Sequence, residues 1–251
     1  MSLYETLGDQ YDEMISWDAR YARESAFFQH LFISERVRRV LDAACGTGMH
    51  ARWFAEWGLQ VVAADPSPAM LAAAEHNTRG LNVTLVKAAF GSLRGTAGTG
   101  FDAVVCLGNS LPHAVAEDEF VQALSDFRAA LRTGGILVVH NNNYDRILGR
   151  RERFMPLAVR QTPHGQKLFL RFFDFPTDPG PLQFNVVILS EHQDGWSMDV
   201  STALHRPLLR AEMQSALAAA GFADIVLYGT FSGEPFVEEE SDNLIAVARA
   251  A

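Results

Sequence analysis

Short apolar runs alternate along this chain with stretches of helical period. Residues 37–42, 60–65, 83–86, 101–107 and 136–140 are rich in Val, Leu and Ala and read as five short strands. The fourth is apolar at almost every position after its start, as a strand covered on both faces should be. Between them, residues 49–57 are amphipathic and stop at Gly58, a residue suited to closing a helix. Ser67-Pro68 supplies an N-cap and a proline at the first helical position for residues 69–77. Residues 117–132 carry Phe120, Leu124, Phe127 and Leu131 on one stripe, with Glu117, Asp118 and Glu119 at the start and Arg128 and Arg132 at the end, as the helix dipole favours. Gly134-Gly135 follows. Residues 91–100, rich in Gly and Thr, read as a flexible loop. Strands alternating with helices predict an α/β fold, a Rossmann-like doubly wound sheet.

The period changes near Arg150. Extended segments at 167–175, 182–191 and 196–204, separated by Thr177-Asp178-Pro179-Gly180 and Gln193-Asp194-Gly195, predict an antiparallel β insertion after the fifth strand. It is expected to lie over the carboxyl ends of the parallel strands. A helix over 207–220, stopped by Gly221, and strands at 225–231 and 244–250 then complete a seven-stranded sheet. The acidic run Glu238-Glu239-Glu240 between them reads as a solvated turn. Ahead of the sheet, residues 4–32 read as two polar-aromatic helices that either pack over the sheet edge or form a lid on a ligand pocket. The expected division is an N-terminal helical lid (1–35), a core (36–150), the insertion (151–206), and a C-terminal helix with the last two strands (207–251).

Candidate chemistry sits where the first two strands end. Gly46 and Gly48 leave bare backbone after Asp42, and the helix that starts there points free N–H groups at any ligand. Asp65 closes the second strand about 20 residues past the glycines, the offset at which a carboxylate takes ribose hydroxyls. Both acids stand at carboxyl ends of strands, where open α/β sheets bind ligands. These features describe an adenosine site.

Gly46-Thr47-Gly48-Met49-His50-Ala51 matches a dinucleotide fingerprint, so an NAD(P)-dependent oxidoreductase has to be weighed. Asp42 argues against it, because a carboxylate beside a pyrophosphate is repulsive. S-adenosylmethionine carries a sulfonium and an ammonium, which that acid attracts. The turn is also long, with three residues between Asp42 and Gly46, and the last two strands suit a seven-stranded sheet. S-adenosylmethionine is the cofactor expected, and a protein that binds it without turnover is the remaining alternative.

Composition narrows the partners. Among 251 residues the net charge is −9, which argues against a nucleic-acid backbone. Cys45 and Cys106 are the two cysteines; there is no disulfide framework and no zinc spacing, so no metal is expected. No leader pattern and no apolar run near ~18 residues is present, so a reduced cytoplasm and no membrane are expected. The base-methylating Asn-Pro-Pro-Tyr tetrad is absent, and Gly108-Asn109-Ser110-Leu111-Pro112 lacks the closing glycine of a hydrolase elbow.

Asp42-Ala43-Ala44-Cys45-Gly46-Thr47-Gly48 and Val62-Ala63-Ala64-Asp65-Pro66-Ser67-Pro68-Ala69-Met70 resemble the motifs of class I S-adenosylmethionine-dependent methyltransferases. Residues 107–113, 143–148 and the lead-in around Tyr11 and Trp17-Asp18-Ala19-Arg20 are similar to the glycine and glycine/sarcosine N-methyltransferase branch. The resemblance implies that Asp65 holds the ribose, that Met70 packs on the adenine and that Ala89 and Phe90 flank it. It implies that Ala43 and Gly46 meet the methionine part through their backbone, with Arg20 near its carboxylate and Tyr11 and Trp17 closing over it. Leu107 and His113 would line the reactive side, and Asn143 and Tyr144, with His140 or His113 nearby, would orient a small-molecule methyl acceptor, an amine in the first instance. One departure stands out: Asn142 occupies the place of the branch's arginine, so a charge for an acceptor carboxylate must come from elsewhere, Arg171 and Arg146 being the candidates.

Overall fold

The computed structural model describes Leu7 and residues 10–162, 165–177 and 180–251. Tyr4, at the start of the expected lead-in, and Asp178-Pro179, in an expected turn, lie outside the described residues. The chain enters through α1 (Gln10–Met14) and α2 (Trp17–Ser34). It then alternates β1 (Arg39–Asp42), α3 (Met49–Glu56), β2 (Gln60–Asp65), α4 (Pro68–Asn77), β3 (Val83–Lys87), α5 (Leu93–Thr96), β4 (Phe101–Cys106), a 3₁₀ turn (Leu111–His113), α6 (Glu117–Ala130), β5 (Leu131–Asn142) and α7 (Tyr144–Arg150). Four strands follow, β6 (Ala158–Thr162), β7 (Gly165–Asp174), β8 (Leu182–His192) and β9 (Gly195–His205), and the chain ends with α8 (Arg210–Ala219), β10 (Phe222–Tyr228) and β11 (Asn243–Ala250).

Seven strands form one sheet in the order β10-β11-β5-β4-β1-β2-β3. β1 runs parallel to β2 and β4, and β11 runs antiparallel to both β5 and β10. The order reverses at β1, so the loops after β1 and β4 part there and open a crevice at the strands' carboxyl ends. Helices cover both faces. Phe28, Phe32, Phe54 and Phe231 pack under one face against Val40 and Val105; Phe120, Leu124, Phe127, Met213 and Leu217 pack under the other against Leu41 and Val104. The remaining strands form a separate antiparallel sheet, β6-β7-β8-β9. Its inner face meets the N-terminal segment, Phe169, Val186 and Ile188 packing with Leu7, Met14 and Met70. No helix among the described residues is long and apolar enough to cross a membrane.

Several expected boundaries move, each for a local reason. The insertion has four strands rather than three, because β6 pairs with β7 although its sequence, Ala-Val-Arg-Gln-Thr, is mostly polar. The loop expected over residues 91–100 contains a helical turn: Leu93 is fully buried, and the Leu93 and Arg94 amides donate to the Asp126 carboxylate at 2.6 and 2.9 Å. α6 stops at Ala130, earlier than expected, and β5 begins at once. β10 starts at Phe222, a core residue, and absorbs Asp224 at φ 48° in a register shift.

The turn between β1 and α3 is tight where it matters. Gly48 has φ +79°, and a Cβ there would stand 2.9 Å from the Ala74 Cβ of α4, whereas a Cβ at Gly46 (φ +53°) would meet nothing within 4 Å. Gly46→Ala is therefore expected to cost about 1–2 kcal/mol of stability from backbone strain alone. Gly48→Ala adds a core clash and is expected to cost about 2–4 kcal/mol, an order that urea denaturation of the two variants measures.

Candidate active site

The turn after β1 is built from backbone donors and one carboxylate. The Gly46 amide donates to Asp65 Oδ2 at 2.9 Å, and the Ser67 amide donates to Asp65 Oδ1 at 2.9 Å. Asp65 is thus fixed at the end of β2 with a further lone pair on each oxygen. Burial raises its pKa, and the two amides offset part of the rise. Asp42 differs. It is buried at the end of β1, neither carboxylate oxygen has a hydrogen-bond partner among the described residues, and it does not reach the cavity wall. Burial, with Asp65 nearby, pushes its pKa up to about 7, the Ala44 backbone offsetting only part of this. The structure thus places the Asp42 carboxyl, expected from sequence beside the cofactor, beneath the turn rather than on the cavity wall.

A cavity of about 470 Å³ opens above this turn. It is lined by Ala43 and Gly46 from the turn, Asp65 and Met70 from β2 and α4, Ala89 and Phe90 after β3, and Leu107 and His113 after β4. Tyr11, Trp17 and Arg20 close it from the N-terminal helices. Gly48 lies in the turn but not on the wall. Sequence reasoning missed Glu119 and Gln122, which also line the cavity; the acids opening α6 were read through the helix dipole alone, and Glu119 does serve that end, accepting from the Ala116 amide at 3.1 Å.

The lead-in both packs on the core and borders the first cavity. Its second half packs on the core through Phe28 and Phe32. Its first half is latched over the cavity by Asp12, which accepts from Trp17 Nε1 at 2.8 Å, Thr47 Oγ1 at 2.6 Å and Asn77 Nδ2 at 3.1 Å. Behind it Glu24, fully buried, accepts from Arg20 Nε, Arg23 Nη2 and His50 Nε2, each at 2.9 Å. These hydrogen bonds and charges hold the Glu24 carboxyl well below the usual carboxylate range despite its burial.

A second cavity of about 300 Å³ adjoins the first, sharing Tyr11, Arg20 and Gly108. Its walls come from the N-terminal helices, the ends of β4 and β5, and the inner face of the second sheet. Arg20, Arg23, Arg160 and Arg171 line it, and no Asp or Glu does among the described residues. Arg20 and Arg23 are paired with Glu24. Arg160 and Arg171 have no carboxylate partner among the described residues; Arg171 Nε is buried without a hydrogen bond, and its Nη2 reaches only the Pro156 carbonyl at 3.4 Å. Burial lowers the Arg171 pKa.

The acceptor residues expected from sequence are placed differently. Asn143 does not line either cavity: its side-chain oxygen caps α7 at the Arg146 amide, and its Nδ2 donates to the Glu238 and Ser241 carbonyls at 2.8 Å each. It anchors the acidic turn, so that turn is tied down rather than merely solvated. Tyr144 is fully buried one layer behind the second cavity. The chain of bonds there sets the proton positions. Asn109 Oδ1 accepts from the Asn142 amide, leaving Asn109 Nδ2 to donate to Tyr144 Oη at 3.0 Å and Tyr144 to donate to His205 Nδ1 at 3.1 Å. His140 lines the second cavity with both nitrogens engaged, Nδ1 accepting from the Gly108 amide at 3.3 Å and Nε2 donating to Asn243 Oδ1 at 2.9 Å. Burial lowers the pKa of His113 and of His140 to about 4, so both are neutral at pH 7. Arg146 is spent on Glu152 and Asp242, which removes it as an acceptor-binding candidate. Arg171 is the one that reaches the cavity.

Comparison with known proteins agrees with this geometry. Residues 40–135 match a family model described as a methyltransferase domain. The chain is 41% identical over 146 residues to a glycine/sarcosine N-methyltransferase of Parasynechococcus marenigrum, covering 57% of this chain and 52% of that one. It is 29% identical over 245 residues to the glycine/sarcosine N-methyltransferase of Aphanothece halophytica, covering 96% and 87%. The chain spans about half the length of several curated relatives that it matches. In fold it is similar to an S-adenosylmethionine-dependent methyltransferase from Clostridium acetobutylicum, with a TM-score of 0.78, 18% identity and 98% of each chain covered. The glycine turn with its Asp65 and the seven-stranded sheet with β11 reversed agree with these matches, in which residues 40–135 resemble a methyltransferase domain and the chain as a whole has the fold of an S-adenosylmethionine-dependent methyltransferase.

Proposed function

We propose that the chain moves a methyl group from S-adenosylmethionine to the nitrogen of a small amine that also bears an anionic group. The observation that carries the second half of this reading is Arg171, a guanidinium on the wall of the second cavity with no carboxylate partner among the described residues. Arg160 and Arg171, with no acid on the wall among the described residues, make that cavity favour an anion, and a planar guanidinium pairs bidentately with a carboxylate. The relatives' acceptors, glycine and sarcosine, are amines of this chemistry. Arg171 would then supply from the insertion the charge that Asn142 lacks.

The first cavity fits the cofactor. Asp65 retains lone pairs for the ribose hydroxyls, and Met70 and Phe90 offer apolar surface for the adenine. When bound, S-adenosylmethionine supplies a methyl group activated by a sulfonium.

The chain's own residues then have to bring an amine lone pair in line with that methyl and keep water out. Tyr11, Arg20 and Gly108 form the wall common to both cavities, and Arg171 and Arg160 hold the acceptor's anionic end away from it. Such positioning can supply roughly 7–11 kcal/mol of a barrier. A neutral amine needs no base as it attacks. His140 in turn is a buttress, its two ring nitrogens holding Gly108 and Asn243 in place.

Arg171→Gln is expected to raise the acceptor KM roughly 10- to 100-fold, the loss of one charge-assisted pair, with S-adenosylhomocysteine affinity unchanged; steady-state kinetics with sarcosine or a like amine, beside calorimetry, reads both. A second expectation concerns pH. Above about pH 7 Asp42 is mostly carboxylate and attracts the sulfonium; below it the group is mostly neutral. S-adenosylmethionine affinity should therefore rise by about three- to tenfold from pH 6 to 8, within the ~1.4 kcal/mol that one pKa unit represents. Asp42→Asn should flatten that rise, and calorimetric titration at the two pH values checks it.

A further inference from the structure

The two faces of the second sheet meet opposite surroundings. Strand alternation turns Arg160, Arg171 and His205 toward the second cavity and their neighbours Val159, Leu170 and Leu204 the other way. In register, Leu170, Val187 and Val200 make one cross-strand ladder on the outer face, and Leu168, Leu189 and Met198 make the next. Met198 is 64% exposed, Val200 54% and Trp196, beyond them on β9, 52%. The outward face of an antiparallel sheet is ordinarily polar; here its middle is apolar, with Gln183, Asn185 and Thr202 toward one end, and β9 is an edge strand of the sheet.

We propose that this face is an interface, covered by the same face of a second copy of the chain in a two-fold dimer. Area and charge argue for that occupant. Strands of five, ten, eleven and eleven residues, rising ~3.4 Å per residue and lying ~4.8 Å apart, give a footprint on the order of 600 Å². With side-chain relief added it approaches the ~800 Å² of accessible surface that each partner brings to a stable interface. A chain of net charge −9 repels its own copy except through an uncharged patch, and both ladders are uncharged. A patch without charge is self-complementary under a two-fold axis, where each residue meets the same set from the other copy. At the rim, Asp174 and Glu191 oppose an anionic bilayer. The dimer has a consequence for the site, because a partner on the outer face backs the strands that carry Arg160, Arg171 and His205.

Sedimentation velocity of the full chain over a concentration series tests this. The wild type is expected as a dimer. Met198→Glu and Val200→Asp, each at an exposed position, are expected as monomers with unchanged near-ultraviolet circular dichroism, whereas Val226→Asp, 45% exposed on β10, remains dimeric. Should either charged variant fail to fold, Val200→Cys treated with a bismaleimide is expected to give a covalent dimer, since both native cysteines are buried. A wild type monomeric at its highest soluble concentration, a dimer that survives both charges, or a monomer that instead co-sediments with neutral lipid vesicles would overturn the proposal.

Discussion

One hydrogen bond governs the shape of this site: the Gly46 amide on the Asp65 carboxylate, at 2.9 Å across the ends of β1 and β2. It ties the glycine turn to the neighbouring strand, and the Ser67 amide completes the grip. The parallel register of the two strands places the donor and acceptor together, and a part-buried charge-assisted bond of this kind is among the stronger ones available. Everything else in the first cavity is arranged around the turn that results. Gly48 lets α4 approach to contact distance, and Asp12 latches the N-terminal helices to Thr47 from above.

Charge is divided sharply over a short distance. Acids sit under and beside the first cavity, at Asp42, Asp65 and Glu119; arginines line the second. Arg20, bonded to Glu24 and bordering both, stands at the seam. The net charge of the chain says little about either chamber. What matters is that buried ions keep their fields unscreened, so an acid-lined chamber suits a sulfonium and an arginine-lined one suits an anion.

The sheet, the turn and most of the first cavity were legible in the sequence because each follows from local signals: apolar runs, glycines after an acid, an acid about 20 residues on. Asp42 was legible as a charge but not as a buried one, since burial depends on how the turn folds over it. The acceptor side leaves fewer local signals in the sequence. Asn143 was expected to face the acceptor, yet its amide is consumed by α7 and by the carbonyls of Glu238 and Ser241, nearly a hundred residues away in the chain. Such long-range bonds leave no periodic trace. Arg171 and Arg146 looked equivalent as sequence, and only tertiary packing separates an arginine spent on Glu152 and Asp242 from one left without a carboxylate partner among the described residues. The apolar outer ladders were similarly hidden: β7 and β8 carry apolar residues on both faces, and the clean alternation of β9 does not by itself say which face turns outward.

The account stands most directly on which adenosine compound the glycine turn accepts. Calorimetric titration of the full chain with S-adenosylhomocysteine and, separately, with NAD decides it. One molecule of S-adenosylhomocysteine bound per chain, with no heat from NAD, is the predicted result; saturable binding of NAD with none of S-adenosylhomocysteine would contradict it.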